Sequence, residues 1–144
     1  MITMTRPQKV TINSVDFITT LSKKRLVLVD NDQSILRCMI LWLQYDYKLI
    51  CFKNGYEALS NIEDNSNKVD LIITDNEMPK MSGSQMVIKL KSKDRLKHIP
   101  IIMQTGCASS SIPWNYLNCL LQKPVSKEVL LEAVKQALKE SVFK

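Results

Sequence analysis

The stretch Asp70-Leu-Ile-Ile-Thr-Asp75-Asn-Glu-Met-Pro79-Lys-Met-Ser-Gly83 decides how this chain reads. An apolar run, Val69 to Ile73, leads to Asp75; Pro79 and Gly83 mark a turn, and Ser84 opens a helical pattern. In a parallel α/β sheet a carboxylate in that place stands at the carboxyl end of a strand, where open sheets keep their ligands. A buried strand that delivers one exposed acid into a Pro/Gly loop suits an acid that reacts or binds. The rest of the chain reads as support for Asp75.

Upstream, Leu26-Val-Leu-Val29 is apolar without alternation, as in a strand covered on both faces, and it stops at Asp30-Asn31-Asp32. From Ser34 the period changes: Ile35, Leu36, Met39, Ile40 and Leu43 share one helical face, with Asp32 or Ser34 as its cap. Tyr47 to Phe52 reads as a second apolar strand. Asn54-Gly55 is a turn, and Tyr56 to Asp64 a short helix with Ala58, Leu59 and Ile62 inward.

Downstream, Ser84 to Lys93 reads as a helix with Met86, Val87 and Leu90 apolar. A fourth strand, Ile99 to Gln104, ends at Thr105-Gly106. Cys107 to Asn118 holds three consecutive serines and Pro113, so any helix there is short or irregular. Cys119 to Gln122 is a brief fifth strand before Lys123-Pro124. Ser126 caps a last helix whose buried stripe is Val129, Leu130, Ala133, Val134, Ala137 and Leu138. Strand and helix thus alternate five times, which predicts a parallel sheet with helices on both faces, joined by right-handed crossovers. Residues 1–22 are weakly patterned; Ser14 to Leu21 suits a helical turn or two or a mobile extension. We divide the chain into this N-terminal extension and one domain, residues 23–144.

Composition sets bounds. With 144 residues, 45% of them apolar, the chain has enough for one full core. It holds no run of 18 apolar residues, so no membrane span is expected, and its N-terminus lacks the apolar core of a signal peptide. Cys38, Cys51, Cys107 and Cys119 fit no metal-ligand spacing; we expect small buried apolar side chains in a reducing, cytoplasmic setting. The net charge of +6 reads as a lysine-rich surface. No helix-turn-helix, zinc-finger or aromatic-basic pattern accompanies it, so nucleic acid is not an expected partner.

Four polar features fall at strand ends: Asp30-Asn31, Asp75, Thr105 and Lys123. Such ends are neighbours on one edge of a parallel sheet. Clustered carboxylate oxygens suit a hard divalent cation such as Mg²⁺. A lysine and a hydroxyl beside them suit the oxygens of a phosphoryl group, whose transfer needs mainly positioning and charge neutralisation. Singly, each has a plainer reading: Asp75 as a turn residue, Thr105 as a strand-end hydroxyl, Lys123 as surface, Asp30 or Asp32 as a helix cap. Their joint order and spacing carry the argument.

That order resembles a response-regulator receiver domain, the phospho-accepting module of two-component signalling, over residues 25 to 142. The resemblance rests on Val-Asp30-Asn-Asp, Asp75-x-x-Met-Pro-x-Met-x-Gly83, Thr105-Gly106 and Lys123-Pro124, with gaps of 45 residues from Asp30 to Asp75 and 30 from Asp75 to Thr105. It implies a flavodoxin-like doubly wound (βα)5 fold with a five-stranded parallel sheet, the fourth helix short or irregular. Asp75 would be the phosphoacceptor, taking a phosphoryl group from a partner's phosphohistidine or from acetyl phosphate. Mg²⁺ would be held by Asp30, Asn31, Asp75 and the backbone carbonyl of Glu77. Thr105 and Lys123 would bind the phosphoryl oxygens, Pro124 would follow Lys123 through a cis peptide, and Gly106 would leave the phosphoryl group room. Glu77 and Cys107, each two residues beyond a site residue, would tune the lifetime of the acyl phosphate.

Three departures stand out. Asn31 occupies the place of a second acid and brings an oxygen but no charge, which predicts phosphorylation with a weaker Mg²⁺ requirement. Leu120 stands at the switch position, where receivers often carry an aromatic. Only 18 residues separate Thr105 from Lys123, so the fourth helix should be curtailed. Trp114 and Tyr116 are expected to pack.

The resemblance implies a stand-alone switch that is not an enzyme. It would be charged by a histidine kinase or histidine phosphotransfer protein and read by another protein through a population shift. A degenerate receiver, serving as a phosphorylation-independent interaction module, is the alternative. A flavin or nucleotide binder is a third reading, against which stands the lack of a Gly-rich loop after the first strand.

Overall fold

The computed structural model describes residues 23–107 and 109–142. The suggested helical turn at 14–21 lies outside them. Five strands form one parallel sheet: β1 (Arg25–Val29), β2 (Lys48–Phe52), β3 (Leu71–Asp75), β4 (Ile101–Thr105) and β5 (Cys119–Gln122), in the order β2-β1-β3-β4-β5. Four α-helices complete it: α1 (Gln33–Leu43), α2 (Gly55–Asp64), α3 (Gly83–Lys91) and α4 (Lys127–Val142). This is the flavodoxin-like doubly wound arrangement. Among the described residues between β4 and β5 the chain makes only a 3₁₀ turn, Trp114–Tyr116, where a fourth crossover helix would lie. The short, Pro-containing segment has neither the length nor the period for more.

Alternate residues of the central strands serve two apolar layers, as period-2 geometry requires. Val27, Val29, Ile72, Ile101 and Met103 pack with Ala58 and Ile62 of α2 and Met86, Val87 and Leu90 of α3. Leu26, Leu28, Leu71, Ile73 and Ile102 pack with Leu36, Met39 and Leu43 of α1 and Leu130, Val134 and Ala137 of α4. Every residue of β3 and β4 is buried, which explains their continuous apolar runs. By contrast β2 is an edge strand and largely exposed, so its apolar run overstated its burial.

Several expectations need correction. Val129 is exposed; the stripe of α4 begins at Leu130. Cys38, Cys51 and Cys107 are exposed and Cys119 is half-buried, and none of the four is in a disulfide. Cys51 sits on the edge strand, and Cys38 lies off the buried face of α1 formed by Leu36, Met39 and Leu43. Trp114 and Tyr116 are exposed as well, because the 3₁₀ turn offers no buried face.

Candidate functional site

The strand order decides which polar residues meet. It reverses between β1 and β3, the place where open α/β sheets form their crevice. Val29 pairs with Thr74, so Asp30 and Asp75, one step further on, come side by side. Asp75 pairs with Gln104, and Thr105 with Gln122, which sets Thr105 and Lys123 along the same edge. Beyond the paired residues, the Lys123 N–H donates to the Thr105 carbonyl at 2.8 Å. The Lys123–Pro124 peptide is cis.

Lys123 ties the acids together. Its Nζ lies 2.9 Å from Asp75 Oδ1 and 3.4 Å from Asp30 Oδ2. The Asp75 carboxylate is not the exposed acid that the turn suggested: it is 3% exposed, and Asp30 is 1% exposed. Burial pushes the Asp75 carboxyl up to about 6, against the opposing hydrogen bond from Lys123. Burial likewise raises Asp30, although the Asp32 N–H donates to its Oδ1 at 2.8 Å. For Lys123 burial works the other way, but its contacts with Asp75 and Asp30 outweigh it and hold the ammonium above its usual range. Two desolvated carboxylates thus share one cation.

The loop after β3 is built around a close approach. A Cβ on Gly83 would stand 2.2 Å from the Asp75 carbonyl oxygen, so only glycine fits where α3 begins. Asn76 locks the loop: its carbonyl accepts the Gly83 N–H at 3.0 Å, and its Oδ1 accepts the Ser84 N–H and hydroxyl at 2.9 and 2.6 Å. Asn76 went unread in the sequence because an amide in a Pro/Gly turn looks like ordinary turn chemistry. Ser82 and Gln85 close the start of α3 as a capping box.

Across the site, Glu77 reaches from this loop to the end of β4. Its Oε1 accepts from Thr105 Oγ1 at 2.5 Å, the Gly106 N–H at 2.9 Å and the Cys107 N–H at 3.2 Å. Burial would raise the Glu77 carboxyl, but these donors outweigh it and hold the group below its ordinary value. Thr105 itself is buried. Apart from its chain neighbours, the nearest described atom to a Cβ added at Gly106 is Glu77 Oε1, at 3.8 Å.

Among the remaining predicted residues, Asn31 lies exposed in the β1–α1 loop beside Asp30. Asp32 is committed to capping α1, its Oδ1 accepting from the Ser34 and Ile35 N–H groups. Leu120 is half-buried against the layer of α2 and α3. Among the described residues, no three His, Cys, Asp or Glu side chains gather as a metal cluster. Asp30 and Asp75 nevertheless form an all-oxygen donor set that fits a hard cation, with Asn31 leaving that set one carboxylate short.

The chain belongs to the response regulator receiver domain family, whose model matches residues 26–139. It is 32% identical over 118 residues to the CAI-1 autoinducer sensor kinase/phosphatase CqsS of Vibrio cholerae, covering 78% of this chain and 17% of that protein. It is also 32% identical over 111 residues to the two-component response regulator-like protein PRR73 of Oryza sativa, covering 74% of this chain and 14% of that protein. The chain therefore spans less than a fifth of these relatives' length. Among solved structures it resembles a CheY-like response regulator receiver domain protein of Methanospirillum hungatei, at 29% identity and a TM-score of 0.77 over 85% of this chain and 98% of that one. It also resembles the chemotaxis protein CheY4 of Vibrio cholerae, at 26% identity and a TM-score of 0.73 over 81% and 99%.

Proposed function

We propose that this protein is a phospho-accepting receiver in a two-component or phosphorelay pathway, with Asp75 as the acceptor. The observation that carries the reading is the Lys123 ammonium, 2.9 Å from the buried Asp75 carboxylate and shared with Asp30, with the Thr105 hydroxyl at the end of the next strand. Lys123 and the Glu77 N–H, 3.3 Å away, hold Asp75 Oδ1, which leaves Oδ2 to attack the donor's phosphorus. As the new O–P bond forms, the bond from phosphorus to the donor's imidazole nitrogen breaks, and the electron pair leaves with that nitrogen. Lys123 neutralises charge on the phosphoryl oxygens, and the Thr105 hydroxyl donates to one of them. Mg²⁺, held by Asp30, Asp75, Asn31 and the Glu77 carbonyl, supplies further charge neutralisation when bound.

The donor in this reading is a histidine kinase or histidine phosphotransfer protein. An apolar cavity of about 410 Å³ beside Lys123, lined by Ile35, Met39, Trp42, Val125 and Leu130 among others, gives such a donor a surface next to the acceptor. The readout is a change in protein–protein contacts, with no substrate turned over. Among the described residues no helix is long and apolar enough to cross a membrane, and four cysteines outside any disulfide suit the cytoplasm.

The test is an intact-mass spectrum after incubation with acetyl phosphate, with and without Mg²⁺, beside Asp75→Asn. One added phosphoryl group that needs Asp75 is the expected result. If neither acetyl phosphate nor a phosphohistidine donor leaves an adduct, the chain is an interaction module that keeps the fold without the chemistry.

A further inference from the structure

A single oxygen, Glu77 Oε1, collects three donors: the Thr105 hydroxyl, the Gly106 N–H and the Cys107 N–H. Successive backbone amides and a hydroxyl converging on one point make an anion site, and here the chain fills it with its own carboxylate. Thr105 Oγ1 also lies 2.8 Å from the Cys107 carbonyl, so its one proton has two acceptors. The charged and shorter contact is the stronger. Among the described residues, and apart from the chain neighbours of Gly106, Glu77 Oε1 is the one atom within 4 Å of a Cβ placed on Gly106, so the space on that side of the strand end is open.

The place matters more than the bonds. Glu77 is two residues beyond Asp75, and its side chain crosses to the end of the neighbouring strand. Its carboxylate therefore spans the gap between the acceptor loop and Thr105. A phosphoryl group on Asp75 that accepts from Thr105 has to compete with Glu77 Oε1 for the one proton of that hydroxyl. Two anionic oxygens cannot share those donors without repulsion at contact distance.

We infer that Glu77 is an internal occupant of the phosphoryl-oxygen site: its carboxylate engages Thr105, Gly106 and Cys107 while Asp75 is unmodified, and it leaves as the phosphoryl group enters. The inference rests on the receiver reading and adds a positioning residue to it. Glu77 lowers the readiness of the site to accept phosphoryl, and its departure releases Thr105 for the new contact.

The experiment compares wild type, Glu77→Ala and Glu77→Asp, all of which should fold because Glu77 lies in an exposed loop. Glu77→Asp keeps the charge but is one methylene shorter and loses the reach to Thr105. Beryllofluoride, a phosphoryl analogue, is titrated with Mg²⁺ present and followed by amide NMR. The Gly106 and Cys107 amide signals are also recorded in the metal-free protein. Both variants should bind beryllofluoride about tenfold or more tightly than wild type, the scale of a lost charged hydrogen-bond competitor. Both metal-free variants should also lose the hydrogen-bonded shifts of the two amides. Binding by the variants alone would support the inference still more strongly.

Wild type that binds as tightly as Glu77→Ala overturns the inference and leaves the receiver reading standing. So does Glu77→Asp behaving like wild type, since charge alone would then be the cause. No complex in any of the three, together with no Asp75 adduct, removes the receiver reading and the inference with it.

Discussion

Asp75 is placed where its charge is costly, and that cost can be measured. Burial raises its carboxyl from 3.8 to about 6. An acid whose folded value lies above its unfolded one binds its proton more tightly in the native state. Native stability therefore falls as pH climbs from about 4 through 6, and the favourable contribution is fully present only below the unfolded value. A shift of about two units is worth at most ~3 kcal/mol, and losing the Lys123 contact offsets part of it. Asp75→Asn should thus be more stable than wild type by roughly 1–2 kcal/mol at pH 7.5, and the advantage should vanish near pH 4. Urea melts at the two pH values check this; equal midpoints for the two proteins at pH 7.5 would rule it out. The same raised value predicts that phosphorylation by acetyl phosphate slows below pH 6, where the nucleophile becomes protonated. At Asn31 the expectation runs toward the metal. Asn31→Asp restores a third carboxylate and should tighten Mg²⁺ by about tenfold, read as the Mg²⁺ midpoint of phosphorylation. Superimposable Mg²⁺ curves for the two proteins would refute it.

The elements were legible where burial is total and obscure where a side chain has freedom. The runs of β1, β3 and β4 lack alternation because both their faces are covered, and each meets a polar residue at its carboxyl end, so Asp30, Asp75 and Thr105 could be read directly; Lys123 follows the shorter, partly exposed β5 and was marked by the Pro124 after it. Edge placement is invisible in a run such as β2, and so the exposure of Cys51 was missed. Spacing located Glu77 two residues past Asp75 but could not say which way a flexible three-carbon side chain swings. Nor does sequence reveal that the start of α3 lies against the Asp75 carbonyl, which makes Gly83 more than a turn former. Gly83→Ala would force a Cβ to 2.2 Å from that carbonyl, and the neighbour is backbone, which cannot rotate away. Separating α3 from the end of β3 should cost about 1–3 kcal/mol or more, and it should slow Asp75 phosphorylation by displacing the acceptor loop. A Gly83→Ala protein with wild-type melting and phosphorylation rate would show that the loop yields freely.

At the scale of the molecule, one sheet serves two separate apolar layers, and the site sits on the edge where both are anchored. Curtailing the fourth crossover to a 3₁₀ turn leaves these layers intact, because Ile112 and Leu117 of that segment still pack against the layer of α2 and α3. It does expose Trp114 and Tyr116. Since β3 lies between β1 and β4 and every one of its residues is buried, it is the middle one of the three strands that both layers share. Ile72 belongs to the layer of α2 and α3, and Ile73 to the layer of α1 and α4; both are fully buried. Truncating either to alanine should cost about 2–5 kcal/mol, from lost transfer energy and the cavity left behind. If the shared strand couples the layers, each variant should unfold in one cooperative transition, with the denaturant slope of wild type and coincident signals from Trp42 in α1 and Trp114 at the 3₁₀ turn. Trp42 packs against the layer of α1 and α4, whereas Trp114 stands exposed on the segment whose Ile112 and Leu117 pack against the other layer, and single-tryptophan variants report each by itself. Two midpoints in Ile72→Ala, with Trp114 lost before Trp42, would mean that the layer of α2 and α3 melts alone. Asp75 and Lys123, anchored through β3 and β5, would then keep their geometry in a half-unfolded protein. A single midpoint ties the integrity of the phosphoryl site to both layers at once.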